Sequence, residues 1–219
     1  MSHWHQATLN WIDTLPDDIL AYLRNASAVR EYPRGSMIFE PEPEPDTVYL
    51  LESGRIRIYR NSSQGGEFTF SFVEPGFIFG ELPILENIER RNFAEAVEKS
   101  SVIKIPKESF LYSMHHSLEF SNNISLQLAK RLTDAKVNIE DLVFKDAKSR
   151  VARKLIELSV KPLLHLTHAD VAKLTGISRP TASIVLGELE DDQVIEKNKG
   201  VFTINDLASL KAIAASDIR

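Results

Sequence analysis

The pattern of apolar and polar residues divides the chain into a β-rich first half and a helical second half. Helical spacing before Arg30, interrupted at Pro16, predicts short N-terminal helices. Alternating, β-branched or aromatic runs then predict strands at residues 36–39, 47–51, 55–60, 68–73, 93–96 and 101–105. Glycines and an acidic proline segment at residues 40–46, expected to be an exposed loop, separate these strands. Many short strands with intervening turns predict an all-β sandwich or barrel.

From about residue 117 to residue 144 the apolar residues recur at helical spacing. One series is spaced four, three, four and three residues apart, as in a coiled-coil seam, and comprises Leu128, Leu132, Ala135, Ile139 and Leu142. A second stripe, Leu126, Ala129 and Val137, is expected to pack on the β domain. A helix with one stripe would only cover its own core, whereas two stripes favour a dimer interface. The sequence therefore predicts a homodimer.

Residues 166–192, LTHADVAKLTGISRPTASIVLGELEDD, have the pattern of a helix-turn-helix. Thr167 and Asp170 can cap the first helix, and Gly176 can adopt the left-handed backbone needed for the turn. Ser178 can cap the second helix, and Pro180 is tolerated in its first turn. The exposed face of the second helix is then expected to carry Arg179, Thr181, Ser183 and Ile184.

This exposed face fits the major groove of DNA, where residues at the start of a helix meet base edges and phosphates. Arg179 is the strongest candidate, although an isolated surface arginine is usually only solvated. Two capped helices around one glycine turn favour DNA binding over that alternative. Two short strands around the turn at residues 198–200 predict a wing. The residues predicted to contact DNA are Thr167, His168, Ser178, Arg179, Thr181, Ser183, Lys197 and Lys199.

The predicted domains are residues 1–116, 117–145 and 146–219, namely a β-roll sensor domain, a dimerisation helix and a DNA-binding domain. Asp146 is the expected N-cap of the first helix of the last domain, and Asn205 that of its last helix. The net charge of −5 at first argues against a nucleic-acid partner. However, residues 146–219 carry 11 Lys+Arg and 10 Asp+Glu, against 15 and 21 in the first 145 residues. The slightly basic C-terminal domain is compatible with phosphate contacts.

Composition narrows the classes of protein that fit. The chain has no cysteine, which excludes disulfides and thiolate-bound iron–sulfur clusters. We expect a cytoplasmic location, because no segment has the length and hydrophobicity of a membrane helix and the N-terminus lacks the pattern of a secretory signal. A Walker loop, an HExxH motif and a GxSxG motif are all missing from the sequence, so an enzyme is not expected.

The tripeptide Gly80-Glu81-Leu82, followed by Arg90-Arg91, is a candidate ligand site. A turn with backbone N–H groups, a carboxylate and two guanidinium groups would suit an anion that carries hydroxyl groups. The alternative is an internal ion pair between Glu81 and Arg90 that holds a β-loop together.

These features together resemble the CRP/FNR superfamily of bacterial transcription regulators. The most specific pieces are FGEL at residues 79–82, the run from AKRL to FKDAKSRVARKL at residues 129–155, and LTHADVAKLTGISRPTAS. The resemblance implies an α+β fold with an N-terminal jelly-roll-like β-roll, a long dimerisation helix and a C-terminal winged helix-turn-helix. It also implies a homodimer on a twofold-related site in double-stranded DNA, contact with RNA polymerase, and no membrane partner.

The departures from the family pattern bear on the effector and on the DNA site. In members that bind cyclic nucleotides, an arginine followed by Ser or Thr holds the phosphate, whereas Arg91 follows Arg90 here. Cyclic AMP is therefore not expected, and either internal ion pairs or a more anionic ligand would fill the pocket. In the recognition helix, Pro180 and Ile184 replace the usual Glu and second Arg, so the familiar half-site is not expected. The candidate pocket residues are Gly80, Glu81, Leu82, Arg90, Arg91, Asn92, Ala135 and Lys136, of which the last two replace base-holding hydroxyl residues.

A haem-based gas sensor on the same scaffold is the alternative function. His3, His5, His115 and His116 are available as axial ligands. Adjacent histidines at a helix start, as expected for His115 and His116, are more often surface or capping residues, so the expectation is no cofactor and no metal.

Overall fold

The computed structural model describes residues 15–63, 66–159, 166–198 and 201–217. The chain divides into two compact units, residues 1–131 and 132–219. The N-terminal unit contains α1 (Asp17–Ala26), β1 (Ala28–Tyr32), β2 (Met37–Phe39), β3 (Thr47–Ser53), β4 (Ile56–Asn61), β5 (Glu67–Val73), β6 (Ile78–Phe79), α2 (Leu82–Glu86), β7 (Phe93–Ala96), β8 (Ser100–Pro106), α3 (Lys107–His116) and the first half of α4 (Leu118–Phe144). The C-terminal unit contains the rest of α4, then α5 (Ala147–Ser159), α6 (His168–Thr175), α7 (Arg179–Asp191), β9 (Ile195–Asn198), β10 (Val201–Ile204) and α8 (Leu207–Ala215).

The strands of the N-terminal unit form two four-stranded antiparallel sheets, ordered β1-β8-β3-β6 and β2-β7-β4-β5. Most neighbours in the sheets are distant in sequence, as in the pairing of Ala28 with Lys104 and of Tyr32 with Ser100. This long-range pairing is typical of a jelly-roll sandwich. The predicted α+β class is confirmed.

Strand β3 connects two hydrophobic clusters because both of its faces are covered. Val48 and Leu50 pack in a cluster that includes residues of α1, α3 and α4. Tyr49 and Leu51 lie in the second cluster, which is built from residues of both sheets. Successive side chains of a strand face opposite sides, so alternate residues of β3 enter different clusters. The apolar run VYLL thus belongs to a fully buried strand.

The face of α4 that packs in the N-terminal unit differs from the predicted one. Phe120 and Ile124 are buried, and Leu128 is half-buried against the same cluster. These residues are four apart and therefore share one helix face. Leu126 is 65% exposed and Ala129 is also exposed, so the prediction that they pack on the β domain was wrong.

The helix caps of the C-terminal unit follow local sequence with one exception. Asp146 accepts a 2.7 Å hydrogen bond from the backbone N–H of Ser149 and caps α5, as predicted. The cap of α8 is Asp206, which accepts from the N–H of Ser209 at 2.9 Å. The prediction of Asn205 as that cap was wrong, because α8 begins at Leu207 and a cap immediately precedes its helix.

Two other elements differ from the sequence-based expectation. Residues 28–30 belong to β1 instead of a helix, and the short helix α2 was not predicted.

Among the residues that the structure describes, no helix has the length and apolar character needed to cross a membrane.

Candidate DNA-binding surface and ligand pocket

The helix-turn-helix is defined by its caps and its turn. The hydroxyl of Thr167 accepts from the N–H of Asp170 at 3.1 Å, and the Asp170 carboxylate accepts from the N–H of Thr167 at 2.8 Å. Gly176 has a φ of 67°, the left-handed conformation expected at this turn. Ser178 then caps α7 by accepting from the N–H of Thr181 at 3.2 Å. All of these local features were predicted from the sequence.

Packing between α6 and α7 determines which residues of α7 face outward. The buried residues of the two helices are Val171, Ala172, Leu174, Thr175, Ala182, Val185, Leu186 and Leu189. Arg179 and Ile184 remain exposed, while Thr181 and Ser183 are half-buried. The outward face of α7 is therefore the one that the sequence predicts for DNA.

The predicted DNA contacts differ in what their side chains already bind. The Thr167 hydroxyl also donates to Asp170 at 2.7 Å, and the hydroxyl groups of Ser178 and Thr181 lie 2.7 Å apart. These hydroxyls hold helix ends in place, whereas the Arg179 guanidinium extends from the exposed first turn of α7. Arg179 is thus the residue of this group that is best placed to reach a ligand.

His168 connects α6 to α7, and a ring on the wing lies beside it. Its Nδ1 lies 2.9 Å from the hydroxyl oxygen of Ser183. The Nζ of Lys197 lies 5.1 Å from the centre of the Phe202 ring, and the His168 ring centre lies 6.4 Å from that same ring. Phe202 was not predicted as a site residue. The predicted contact Lys199 lies outside the described residues.

Glu81 is the buried acid of the candidate pocket, and its partner is Arg131 of α4. The Arg131 guanidinium forms an ion pair with the Glu81 carboxylate and donates to the carbonyl of Ile78. The side chain of Gln127, one turn earlier on α4, accepts from the N–H of Ile78 at 3.0 Å. Burial raises the pKa of the Glu81 carboxyl above its ordinary value, while the charge of Arg131 acts in the opposite direction.

Arg131 was missed as a site residue, although the sequence contains a signal for it. It continues the helix face of α4 that buries Ile124 and Gln127. A cation on a packing face requires an anion or several acceptors close by, because burial of an unpaired charge is costly. The apolar face that begins at residue 120 therefore indicates that Arg131 pairs with an acid of the β-roll.

Arg90 is buried, with an exposed fraction of 2%. Its guanidinium carbon lies 4.2 Å from the centre of the Phe39 ring, which is a cation–π distance. Its Nη2 donates to the carbonyl of Thr47 at 2.7 Å and to the carbonyl of Gly80 at 3.2 Å. Both partners are main-chain groups of the β-roll, so this arginine stabilises the fold that surrounds it.

The remaining partner of Arg90 is Glu42, from the acidic proline segment. Nη1 of Arg90 lies 2.9 Å from the Glu42 carboxylate. The two residues also exchange backbone hydrogen bonds, at 3.0 and 2.8 Å, as an isolated antiparallel bridge. The predicted alternative of a Glu81–Arg90 ion pair was therefore wrong in its partners, because each charge pairs with a different residue.

A cavity of about 420 Å³ lies beside this bridge. Its lining residues are Pro41, Glu42, Pro43, Arg60, Glu89, Arg90 and Arg91. Arg91 is exposed and pairs with Glu89 at 2.6 Å.

The other candidate pocket residues are less enclosed. Leu82 is exposed and Asn92 is half-buried. Ala135 and Lys136 are exposed on the part of α4 that belongs to the C-terminal unit, and their role in a pocket stays a prediction. Within the described residues, Oε2 of Glu81 and Nε of Arg90 are buried without a hydrogen-bond partner.

The histidines considered for haem are only partly described. His116 stacks on Tyr112 with a ring distance of 3.9 Å, and its Nδ1 lies 2.9 Å from the carbonyl of Tyr112. His115 is exposed, and His3 and His5 lie outside the described residues. Haem binding stays the alternative function, for which a Soret band in the purified protein is the test.

Comparison with known families and proteins covers both units. Residues 29–117 match the cyclic nucleotide-binding domain family, and residues 149–213 match the Crp-like helix-turn-helix domain family. The cyclic AMP receptor protein of Thermus thermophilus is 33% identical over 188 residues, which are 84% of this chain and 87% of that protein. The transcriptional regulator SdrP of the same organism is 31% identical over 193 residues, covering 83% and 92% of the two chains.

The fold is also shared with solved structures. A transcriptional regulator of the CRP/FNR family from Thermus thermophilus superimposes with a TM-score of 0.77 and 28% sequence identity. The similarity covers 86% of this chain and 99% of that one.

Removing Arg131 should destabilise the N-terminal unit in a pH-dependent way. Arg131→Gln leaves the Glu81 carboxylate buried without its cation, which we expect to lower the free energy of unfolding by about 3 kcal/mol near neutral pH. The pKa of Glu81 is already raised in the folded state, and loss of Arg131 raises it further. The folded variant then binds a proton more readily than the unfolded chain, so its stability falls as pH rises above the ordinary range of a glutamate.

Urea unfolding at pH 5 and pH 8 measures this effect, with Arg91→Gln as the matched control. Arg91 pairs with Glu89 at the surface, and its loss should change stability by less than about 0.5 kcal/mol at either pH. Equal losses for Arg131→Gln and Arg91→Gln would contradict the assigned role of the buried pair.

Proposed function

Because the chain belongs to the CRP/FNR family of transcriptional regulators, we propose that it acts as a homodimer on a twofold-related DNA site without cyclic AMP as effector. One observation carries the DNA-binding part, namely the exposed first turn of α7 that presents Arg179 from a capped helix-turn-helix. Contact with RNA polymerase is part of the same proposal.

The composition of α7 supports a DNA site different from the usual one of the family. Arg179 lies in the exposed first turn of α7, from which its guanidinium can reach base edges. Ile184 is 63% exposed, and an apolar side chain in the major groove suits the methyl group of thymine. Pro180 supplies no carboxylate for a cytosine amino group. We therefore expect a half-site with a guanine for Arg179 and a thymine near Ile184.

The exposed apolar residues of α4 support a dimer formed with a second copy of the chain. Leu132, Ile139 and Leu142 are 58%, 61% and 48% exposed. With Ala135, they follow the three-and-four spacing of a coiled coil, so a second α4 can bury them in register. Leu128 is already half-buried in the N-terminal cluster, and we expect it to contribute less than the other residues of the predicted seam.

The internal ion pairs support a β-roll that does not bind cyclic AMP. The cyclic phosphate would need the guanidinium of Arg90, which pairs with Glu42, and the ribose hydroxyl would need the carboxylate of Glu81, which pairs with Arg131. A nucleotide must displace both partners before it gains its own contacts. These contacts favour the filled pocket over a pocket for a more anionic ligand.

The dimer interface is tested by placing charge in the seam. In the double variant Leu132→Lys and Ile139→Lys, like charges would be buried against each other, so we expect a monomer in sedimentation velocity at micromolar concentration. Leu126→Lys is the control, because Leu126 is equally exposed but lies outside the seam. A double variant that folds by circular dichroism and still sediments as a dimer would show that the interface lies elsewhere.

The recognition role of Arg179 is tested on DNA selected from a random pool. Arg179→Ala should cost about 1 to 3 kcal/mol on the selected site and relax the sequence preference, because a bidentate base contact is lost. Lys197→Ala on the wing should weaken selected and random DNA alike. Equal losses on both DNAs for Arg179→Ala would reduce this residue to a phosphate contact.

The effector proposal is tested by titration calorimetry with cyclic AMP. Each lost hydrogen bond to a charged group is worth roughly 1.5 to 3 kcal/mol, so the loss of two should weaken binding by more than about a hundredfold. We expect no saturable heat at micromolar concentration. Glu42→Gln should bind more tightly than the wild type because the competing carboxylate is gone, whereas Glu44→Gln in the same segment should not. Micromolar binding by the wild type, coupled to tighter DNA binding, would refute the filled pocket.

A further inference from the structure

We propose that His168, Ser183 and Lys197 form a contact site for a DNA phosphate, and that occupation of this site is coupled to the uptake of a proton by His168. The inference rests on the proposed DNA-binding function and adds a proton as a second ligand. Its basis is the arrangement of three elements around one ring of the wing.

The geometry brings residues from α6, α7 and the wing together. The imidazole Nδ1 of His168, on the first turn of α6, lies 2.9 Å from the hydroxyl oxygen of Ser183 on α7. Lys197 on β9 and His168 both lie against the Phe202 ring of β10, at 5.1 and 6.4 Å from its centre. His168 and Ser183 are half-buried, so the imidazole is held in place by its neighbours.

The charges around His168 are mainly positive. Lys197 on β9 and Arg179 on α7 disfavour the protonated imidazole, while Glu190 on α7 favours it. Asp170, on the same helix as His168, is held in the capping box. Burial is the largest cause of the lowered pKa of His168, and the charge of Lys197 comes next. Burial and the nearby cations therefore favour the neutral imidazole in the free protein.

A DNA phosphate would reverse this balance, because it places an anion beside the cations that disfavour protonation. The imidazole then gains a proton from solvent and a charge-assisted contact with the phosphate. Neutral His168 accepts at Nδ1 from the Ser183 hydroxyl when its own proton is on Nε2. Protonated His168 instead donates from Nδ1 to the Ser183 oxygen. The Ser183 O–H is then free to donate a hydrogen bond to DNA.

This exchange predicts that DNA binding tightens as pH falls. The affinity of one recognition domain is higher at low pH than at high pH. The ratio of the two affinities is about tenfold for each pH unit by which the phosphate raises the pKa of His168. The dependence lies between the pKa values of the free and bound states and disappears at higher pH, where His168 is neutral in both. Because phosphates are common to all sequences, selected and random duplexes should show the same dependence.

The experiment measures the dissociation constant of a fluorescent duplex between pH 5.5 and 8 at fixed ionic strength. We expect the wild type and the control His115→Gln, which lies on α3, to bind more tightly at low pH, and His168→Gln to lose this dependence. A slope that persists in His168→Gln would overturn the proposal, as would a slope found only on the selected site. Absence of DNA binding at every pH would instead contradict the proposed function.

A second measurement uses the unmodified protein, so that the proposal does not depend on the folding of a variant. The ring-proton resonance of His168, assigned by triple-resonance experiments on the wild-type protein, is titrated by NMR with and without duplex. A midpoint at higher pH in the complex supports the proton-coupled contact. Identical midpoints in the two titrations would show that His168 only joins α6 to α7.

Discussion

The carboxylate of Glu81 is buried in the N-terminal unit, and the placement of the first half of α4 depends on how that charge is neutralised. A buried carboxylate without a cation would cost several kcal/mol or would take up a proton. Arg131 supplies the cation, and Gln127 satisfies a backbone N–H of β6 one turn earlier. A slip of α4 by one turn would leave both groups without partners. Apolar packing of Phe120 and Ile124 supplies affinity between helix and β-roll, while the polar pair specifies the register.

The two units use their charged residues in opposite ways. In the N-terminal unit, Arg90 and Arg131 are each paired with a carboxylate and with carbonyl groups of the chain, so little of their charge is available to a ligand. In the C-terminal unit, Arg179 extends from an exposed helix start and Lys197 rests against an aromatic ring. The acidic total charge of the chain is thus compatible with exposed cations on the unit that contains the helix-turn-helix.

Local chemistry determined what could be predicted from the sequence. The cap pair Thr167 and Asp170 and the turn at Gly176 were predictable because each depends on residues within a few positions. Adjacent residues that both favour a cap cannot be ranked in this way, and the choice of Asn205 over Asp206 failed for that reason. The strands of the β-roll were found because alternation and glycine turns are also local signals.

The partners in the pocket depend on the tertiary fold, and local sequence does not contain them. Glu42 reaches Arg90, and Arg131 reaches Glu81, across roughly fifty residues of chain in each case. Hydropathy alone likewise did not distinguish the packing face of α4 from its exposed face, since Leu126 is as apolar as Ile124. The packing face is identified by the residues of α4 that contact the β-roll, of which Phe120 is the first.

Gly80 has a structural role in the candidate pocket. Its φ is +77°, and a Cβ at this position would lie 3.2 Å from the Phe39 and Tyr49 rings and 3.3 Å from Nη2 of Arg90. A larger residue would be strained at this φ and would crowd both rings and the guanidinium, with or without a bound nucleotide. Gly80, Glu81 and Arg90 therefore all have structural roles in this chain. In the function that we propose, the residues that compete for an effector's contacts are Glu42 and Arg131.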